Sequence, residues 1–401
     1  MNNIAPLLSV VIPTRNRFDY VTSAIQSVLR SPSQLLQLVV EDNSDSNQLE
    51  QWLRDNVSDQ RLVYRYSNIR SSMSENYDRA MSLASGEYVC LIGDDDGVNP
   101  EIVEATAWAK ENALDALVPT SLVNYVWPDL HMNAKGAMGA AEVSVRPFTG
   151  AISYPDGDAE MRKCAKDAGQ NFHKLPKAYY GIVSKECLDK VKAKTGTYFP
   201  GVSPDMSAAL AVASYAKRIC HVDYPLFVPG SSAKSNAGLS GMKKHIGWLR
   251  DQAHLPATCE QDWSDIVPVF YSVQTIWAEA TVNSLRATGR TDILKDFNVP
   301  LLYAFCFIFH TRYMRTAKYS FYSALRATQM GFLVGTLQLV YWFIYLWGSR
   351  AKSLVVRLTG GLHVTNIFCA SGLENIDEAV QAVSAHLLKN GFRFNKTIAR
   401  V

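Results

Sequence analysis

The sequence predicts an α/β protein with a mainly parallel sheet, followed by a mainly helical C-terminal region. Three observations predict it. Short β-branched apolar runs alternate with helical spacing through the first hundred residues, each of the decisive runs ends in a polar loop, and the chain beyond about residue 240 reads as helical with apolar and basic stretches. The run LLSVVIP is ended by proline, as expected of a strand buried on both faces, and DYVTSAIQSVLRS follows with Val21, Ile25, Val28 and Leu29 at helical spacing. The pattern repeats: LQLVVEDNSD as strand and loop, NQLEQWLRDN as helix, RLVYRYS as strand, SMSENYDRAMSLAS as helix and GEYVCLIG as a fourth strand. Strands alternating with helices imply parallel pairing through right-handed crossovers.

Composition bounds the function. At 401 residues and 48% hydrophobic content the chain can bury a large core, and 40 basic against 37 acidic residues are too balanced to argue for nucleic acid. Seven cysteines stand singly, without a C-x-x-C pair or zinc-ligand spacing, which fits a reducing cytosol. The N-terminus has no basic n-region and its apolar run is broken by Pro13, so no signal peptide is expected.

In such sheets ligands bind beyond the carboxyl ends of the strands, which here read PTRNR, EDNSD and GDDDG. Asp, Asn and Ser after a strand commonly cap helices, and EDNSD read alone fits that role equally well. Asp94, Asp95 and Asp96 are different, because three adjacent carboxylates repel one another and only one can cap. A hard divalent cation explains the rest. Arg15 and Arg17 are either solvated or meet an anion in the same crevice, so the pattern suggests a metal-bound diphosphate. Neither G-x-x-x-x-G-K-[ST] nor G-x-G-x-x-G is present, which excludes a P-loop NTPase and a dinucleotide-binding dehydrogenase of the usual kind.

The ordered series SVVIPTRNR, LVVEDNSD and ENYDRAMSLASGEYVCLIGDDDGVNP resembles the donor half of a family 2 glycosyltransferase with the GT-A fold, the inverting family that uses nucleotide-diphospho sugars. The likeness covers about Leu7 to Pro100 and more loosely reaches about Asn236. It implies that Pro13, Thr14 and Arg15 shape the nucleotide pocket, that Asp42 contacts base or ribose, and that Asn76 is the Asn preceding the metal motif. The family motif D-x-D-D, anchored on Pro100, puts Gly93 at its first Asp, assigns a metal (Mn2+ or Mg2+) to Asp95 and Asp96, and leaves Asp94 to help hold the donor sugar. Sliding by one makes Asp94-x-Asp96 the D-x-D instead.

An inverting transfer needs a base to take the acceptor hydroxyl's proton as the nucleotide leaves. Asp205, in TYFPGVSPDMSAALAVAS, resembles the family's catalytic aspartate at the start of an acceptor-side helix; its plainer role is to cap that helix. His173 and Asp223 are reserve candidates, and the loop Pro229 to Gly238, with Lys234, either closes over the diphosphate or is a surface loop. No Q-x-x-R-W box of the processive synthases is present, so a single transfer is favoured.

The tail changes composition. No Asp or Glu occurs from Phe297 to Leu373, while Arg312, Arg315, Lys318, Arg326, Arg350, Lys352 and Arg357 do. Val299 to Phe309 is apolar on every face but too short to span a ~30 Å hydrocarbon core, and Gly331 to Trp347 is at the lower limit and rich in Tyr and Trp. These segments are expected to lie in or shallowly enter an anionic membrane surface; the alternatives are a second soluble core and a true span at Gly331 to Trp347.

The expectation is a GT-A domain over residues 1–240, with a donor half about 1–100 and an acceptor half about 101–240, then a helical region 241–401 whose membrane-associating segments lie at about 299–357. Its implied function is transfer of one sugar, with inversion, from a nucleotide-diphospho-sugar donor to a glycan or polyprenyl-linked acceptor in bacterial surface polysaccharide assembly. The expected location is the cytoplasmic, inner face of the plasma membrane. A sugar nucleotidyltransferase should carry a Gly-rich first loop, which PTRNRFDY lacks, and a non-catalytic nucleotide-sugar-binding protein should have lost Asp42, Asp95, Asp96 and Asp205.

Overall fold

The computed structural model describes residues 5–131, 138–172, 174–235, 238, 246–358 and 366–398. His173 and part of the loop before Gly238 lie outside them. The predicted alternation is present as β1 (Leu8–Thr14), α1 (Phe18–Leu29), β2 (Leu36–Asp42), α2 (Gln48–Asn56), β3 (Leu62–Tyr66), α3 (Met73–Met81) and β4 (Tyr88–Leu91). All seven residues of β1 and of β2 are buried; their apolar centres need no partner, and the polar Ser9 donates to Gln37 across the pair. Helix α3 is started by a capping box in which Ser72 and Glu75 satisfy each other's backbone N–H groups.

The sheet region continues with β5 (Gly97–Val98), α4 (Ile102–Glu111), β6 (Ala116–Pro119), β7 (Val123–Val126), β8 (Glu142–Val145), β9 (Ile152–Ser153) and α5 (Gly157–Lys166). Next come β10 (Ile182–Ser184), α6 (Lys185–Thr195), α7 (Pro204–Ala213), β11 (Ile219–Val222), β12 (Phe227–Val228) and β13 (Gly230–Ser231). The main sheet has the order β3-β2-β1-β4-β10-β6-β11-β9. Parallel pairs join β3, β2, β1 and β4, and β6 to β11, while β10 inserts antiparallel between β4 and β6. Alternation along the strands splits the core into two layers. Val10, Ile12, Leu38 and Val40 pack toward α1, whereas Val11, Val39, Val89 and Leu91 pack with Met81, Leu188 and Val212 of the opposite helices.

The remaining elements are β14 (Ile246–Gly247), β15 (Tyr271–Ser272), α8 (Val273–Ala287), α9 (Thr291–Leu294), α10 (Val299–Phe309), α11 (Met314–Ala327), α12 (Phe332–Leu358), β16 (Phe368–Ser371), α13 (Ile376–Lys389) and α14 (Phe394–Ile398). A second core joins α5, α7, α8, α10 and α11 through Met161, Leu210, Ile276, Leu302 and Phe321. This corrects the expectation for Val299 to Phe309. Val299, Leu302, Tyr303 and Cys306 are fully buried, so this run is a core helix and not a membrane-lying one. Sequence order places residues 366–398 with the helical region, but in space they rejoin the first core. There β16 pairs antiparallel with β8, and Ile376, Val380 and Phe394 are buried among residues of α1, α4 and the sheet.

Within the second core, Glu279 is fully buried. Its Oε1 accepts from Ser264 N–H and Asn283, and Oε2 has no partner among the described residues. Burial pushes its carboxyl up to about 7, against the two hydrogen bonds that lower it. A folded-state value above the unfolded one gives stability that is complete below about pH 4.5 and lost as pH rises through about 7. Glu279→Gln is therefore expected to melt higher than the parent at pH 8, by at most ~3 kcal/mol at 1.36 kcal/mol per pH unit, with the gap closing toward pH 4.5. Melting curves across that range check it, and a gap that does not change with pH would refute it.

Candidate active site

The ends of β1 and β4 deliver Thr14 to Arg17 and Gly93 to Asp96 to one edge of the sheet, beside the start of α3. There they wall a cleft of about 560 Å³ whose lining includes Pro13, Thr14, Arg15, Arg17, Asn76, Asp94, Asp95 and Lys234. The three aspartates have three different environments. Asp94 accepts from Thr14 Oγ1 at 2.7 Å and pairs with Arg17 Nε at 2.6 Å. Asp95 Oδ2 accepts from Ser232 Oγ at 2.6 Å and from Arg17 Nη2 at 2.9 Å, while Oδ1 carries no hydrogen bond from the described residues. Asp96 is fully buried: Oδ2 accepts from Gly93 N–H at 2.7 Å and Tyr179 Oη at 3.1 Å, and Oδ1 from Gly230 N–H at 2.7 Å.

The charge that offsets this triplet is Arg17, lying 4.6 Å from the Tyr20 ring centroid. Burial alone would lower the guanidinium's pKa, but Asp94 and Asp95 hold it above its usual range. Burial pushes the Asp94 carboxyl up to about 6, with Arg17 opposing, and Asp96 up to about 7, with the neighbouring charge of Asp95 adding to burial. Gly230 permits the close approach that closes the site from β13. A Cβ there would stand 1.9 Å from the Asp95 carbonyl oxygen, which already accepts from Trp127 Nε1 at 2.9 Å.

Among the described residues no group of three His, Cys, Asp or Glu side chains is arranged to hold a metal. The donors nevertheless suit a hard cation that keeps several waters. Among the described residues Asp95 Oδ1 has no hydrogen-bond partner, Asp94 is adjacent, and Asn76 Oδ1 is buried without a partner in the same wall. A cation held there would favour the ionised form of Asp94, against the burial that raises it.

A second cavity of about 300 Å³ shares Met73, Tyr77, Tyr179, Tyr180 and His254 with the first and adds Asp205, Tyr271, Ile276 and Trp277. Tyr77 lines both cavities, and its hydroxyl is held un-ionised by burial and then by the charges of Asp94 and Asp205. Helix α7 starts with Pro204 in its first turn, and Ser203 occupies the cap without a side-chain capping bond. Asp205 Oδ1 accepts from Ser203 Oγ and from Met206 N–H at 2.8 Å, leaving Oδ2 without a partner among the described residues. Asp205 is therefore not the cap, and it is partly exposed to the cavity.

The structure thus gathers Pro13, Thr14, Arg15, Asn76, Asp94 and Asp95 on one cleft and Asp205 on its neighbour. Two of the expected residues stand behind the lining. Asp42 lies beneath the cleft, fully buried, because Ser44 N–H at 2.9 Å and Tyr64 Oη at 3.0 Å occupy its carboxylate; Asn43 lines the wall instead. Asp96 accepts from two backbone N–H groups and is not among the residues that line the cleft. Asp223 accepts from Thr149 N–H and Oγ1 and lines neither cavity. Sequence reasoning left Arg17 undecided and passed over Tyr179, Tyr180 and His254. Only the charge of Arg17 beside PTRN signalled a role; the other three reach the site through tertiary packing.

Residues 9–133 match the family described as glycosyl transferase family 2. The chain is 34% identical over 97 residues to the Escherichia coli protein named colanic acid biosynthesis glycosyl transferase WcaA, covering 24% of this chain and 34% of that one. It is 30% identical over 93 residues to the GalNAc(5)-diNAcBac-PP-undecaprenol beta-1,3-glucosyltransferase of Campylobacter jejuni, covering 23% and 30%. The matches thus span about a third of the length of these curated relatives. Among solved structures it is similar to the mannosyltransferase PcManGT of Pyrobaculum calidifontis in complex with GDP-Man and Mn2+, at 13% identity and TM-score 0.43 over 96% of this chain and 88% of that one. It is also similar to S. aureus TarS 1–349 in complex with UDP-GlcNAc, at 16% identity and TM-score 0.42 over 79% and 89%.

Proposed function

From a chain whose residues 9–133 match glycosyl transferase family 2, we propose an inverting glycosyltransferase that moves one sugar from a nucleotide-diphospho-sugar to an acceptor hydroxyl. The observation that carries the reading is the pair of adjoining cavities, one walled by Asp94, Asp95, Arg15 and Arg17 and the other by Asp205. Pro13, Thr14, Arg15 and Asn76 hold the nucleotide end, and Asp94 helps to orient the donor sugar. Asp94 and Asp95 would hold a divalent cation, Mn2+ or Mg2+, which when bound supplies positive charge to the departing diphosphate. Arg17 stands against the same two carboxylates, so its guanidinium adds a second positive charge at the diphosphate end. Lys234, exposed at the mouth, is a third.

On the other side Asp205 accepts the proton of the acceptor hydroxyl as that oxygen attacks the anomeric carbon from the face opposite the leaving diphosphate, which inverts the centre. Tyr271, Trp277 and Tyr180 give this cavity aromatic faces suited to the apolar face of a sugar ring. The acceptor we propose is a glycan or polyprenyl-linked saccharide in bacterial surface polysaccharide assembly, presented at the cytoplasmic face of an anionic membrane. The exposed apolar surface of α12 and the basic, acid-free stretch around it support that placement.

A thermal-shift panel of UDP-, GDP- and dTDP-sugars with and without manganese tests the donor reading. One nucleotide class is expected to raise the melting temperature in a metal-dependent way, since saturation at a hundredfold over Kd adds about 2.7 kcal/mol. Absence of a shift with every member of the panel would remove the reading.

A further inference from the structure

Among the described residues, Phe332–Ser353 of α12 is the one stretch long and apolar enough to cross a membrane by length and composition. The fold forbids the crossing. Residues before α12 build the sheet, and residues after it return to that same body: β16 pairs with β8, and Asp377 of α13 forms an ion pair with Arg30, the C-cap of α1. A Cβ added at Gly97, next to Asp96, would stand 2.4 Å from Val380 Cγ2, so α13 is seated directly behind the aspartate triplet. A single passage between the two would leave α13 and the sheet it packs on separated by the bilayer. The helix is also fastened along its length. Gly335 packs on Leu325 of α11, Leu339, Trp342 and Leu346 pack against the second core, and the Arg350 guanidinium lies 5.4 Å from the centroid of Phe309 at the end of α10.

The face turned away from that core is apolar. Leu333, Leu337 and Ile344 are 71%, 62% and 65% exposed, and only Thr336 and Gln338 interrupt the run from Phe332 to Trp347. We infer that α12 is a monotopic membrane helix: it lies embedded along one leaflet of an anionic bilayer, held to the second core by one stripe, with the chain on both sides of it remaining on the catalytic side. The inference rests on the membrane placement proposed above and not on the transfer chemistry. Lipid is the occupant because Phe297 to Leu373 carries seven basic side chains and no acid. Two copies meeting on this face would juxtapose like charges, whereas anionic headgroups are attracted. Tyr341, Tyr345 and Trp347, all exposed, suit the headgroup boundary.

Membranes from cells expressing the full chain test it. The protein is expected to stay in the pellet through high salt and alkaline carbonate and to leave only with detergent; release by salt alone overturns embedding. Cys369, exposed after α12, and a cysteine introduced by Gln34→Cys before it are expected to react with an impermeant maleimide from the same face of sealed vesicles. Labelling from opposite faces overturns the monotopic topology. The double variant Leu337→Glu, Ile344→Glu is expected to move most of the protein to the supernatant while the donor-induced thermal shift persists, which shows the fold intact. If the parent instead leaves a detergent-free lysate as a soluble dimer that this variant splits, the face belongs to a second copy and the inference falls. A parent that pellets as described yet binds no nucleotide sugar would sink the transferase reading and leave this one standing.

Discussion

Asp205→Asn is expected to bind donor almost normally and to transfer sugar about 10²–10⁴-fold more slowly, the usual contribution of a positioned general base. Structure predicts the separation of the two effects. Asp205 lines the second cavity and not the one that holds Asp94 and Asp95, so the donor wall is untouched. The bond that ties Asp205 to its own helix uses Oδ1, which accepts from Met206 N–H at 2.8 Å, and an asparagine retains that acceptor. What disappears is the basic Oδ2, which no described residue occupies. Single-turnover transfer measured beside donor affinity checks the result. Transfer near the parent rate would remove Asp205 as the base; Asp223, spent on Thr149, would not replace it, and attention would turn to His173.

The second large effect is expected at the triplet. Asp95→Asn should abolish metal-dependent donor binding and slow transfer by about 10²–10³-fold, the scale of losing one electrostatic stabiliser of a charged transition state. The fold should survive, because an asparagine oxygen still accepts from Ser232 and Arg17 keeps Asp94 as a partner. Asp96→Asn should behave differently. Its two oxygens accept backbone N–H groups from Gly93 and Gly230, so an amide NH₂ must face one of those donors, costing roughly 1–3 kcal/mol of stability. Donor titrations with manganese and with EDTA, next to melting temperatures for both variants, separate the roles. Equal loss of stability in both, or full activity of Asp95→Asn, would refute the assignment.

The alternation of apolar runs with helical spacing was sufficient to read β1 to β4 with their helices, because the centre of a parallel strand buried on both faces is built mainly from β-branched and apolar residues. The loops that carry Thr14, Arg15, Asn76, Asp94 and Asp95 were legible for a related reason. A parallel sheet sends its strand ends to one edge, so polar residues after successive strands must meet. What the sequence could not decide was which carboxylate faces the cleft. Asp42 and Asp96 look no different from Asp95 in composition, and their burial depends on Tyr64, Tyr179 and Gly230, partners brought in by the fold. The tail divided in the same way. Val299 to Phe309 and Gly331 to Trp347 are both apolar runs, and periodicity cannot tell a core helix from one that faces lipid. Packing against α8, α11 and α12 buries the first, whereas the second finds a protein partner along one stripe only. The return of residues 366–398 to the first core was likewise outside the reach of sequence. Its cause is long-range: an antiparallel pairing with β8 and an ion pair to Arg30, between residues hundreds of positions apart, that no local pattern encodes.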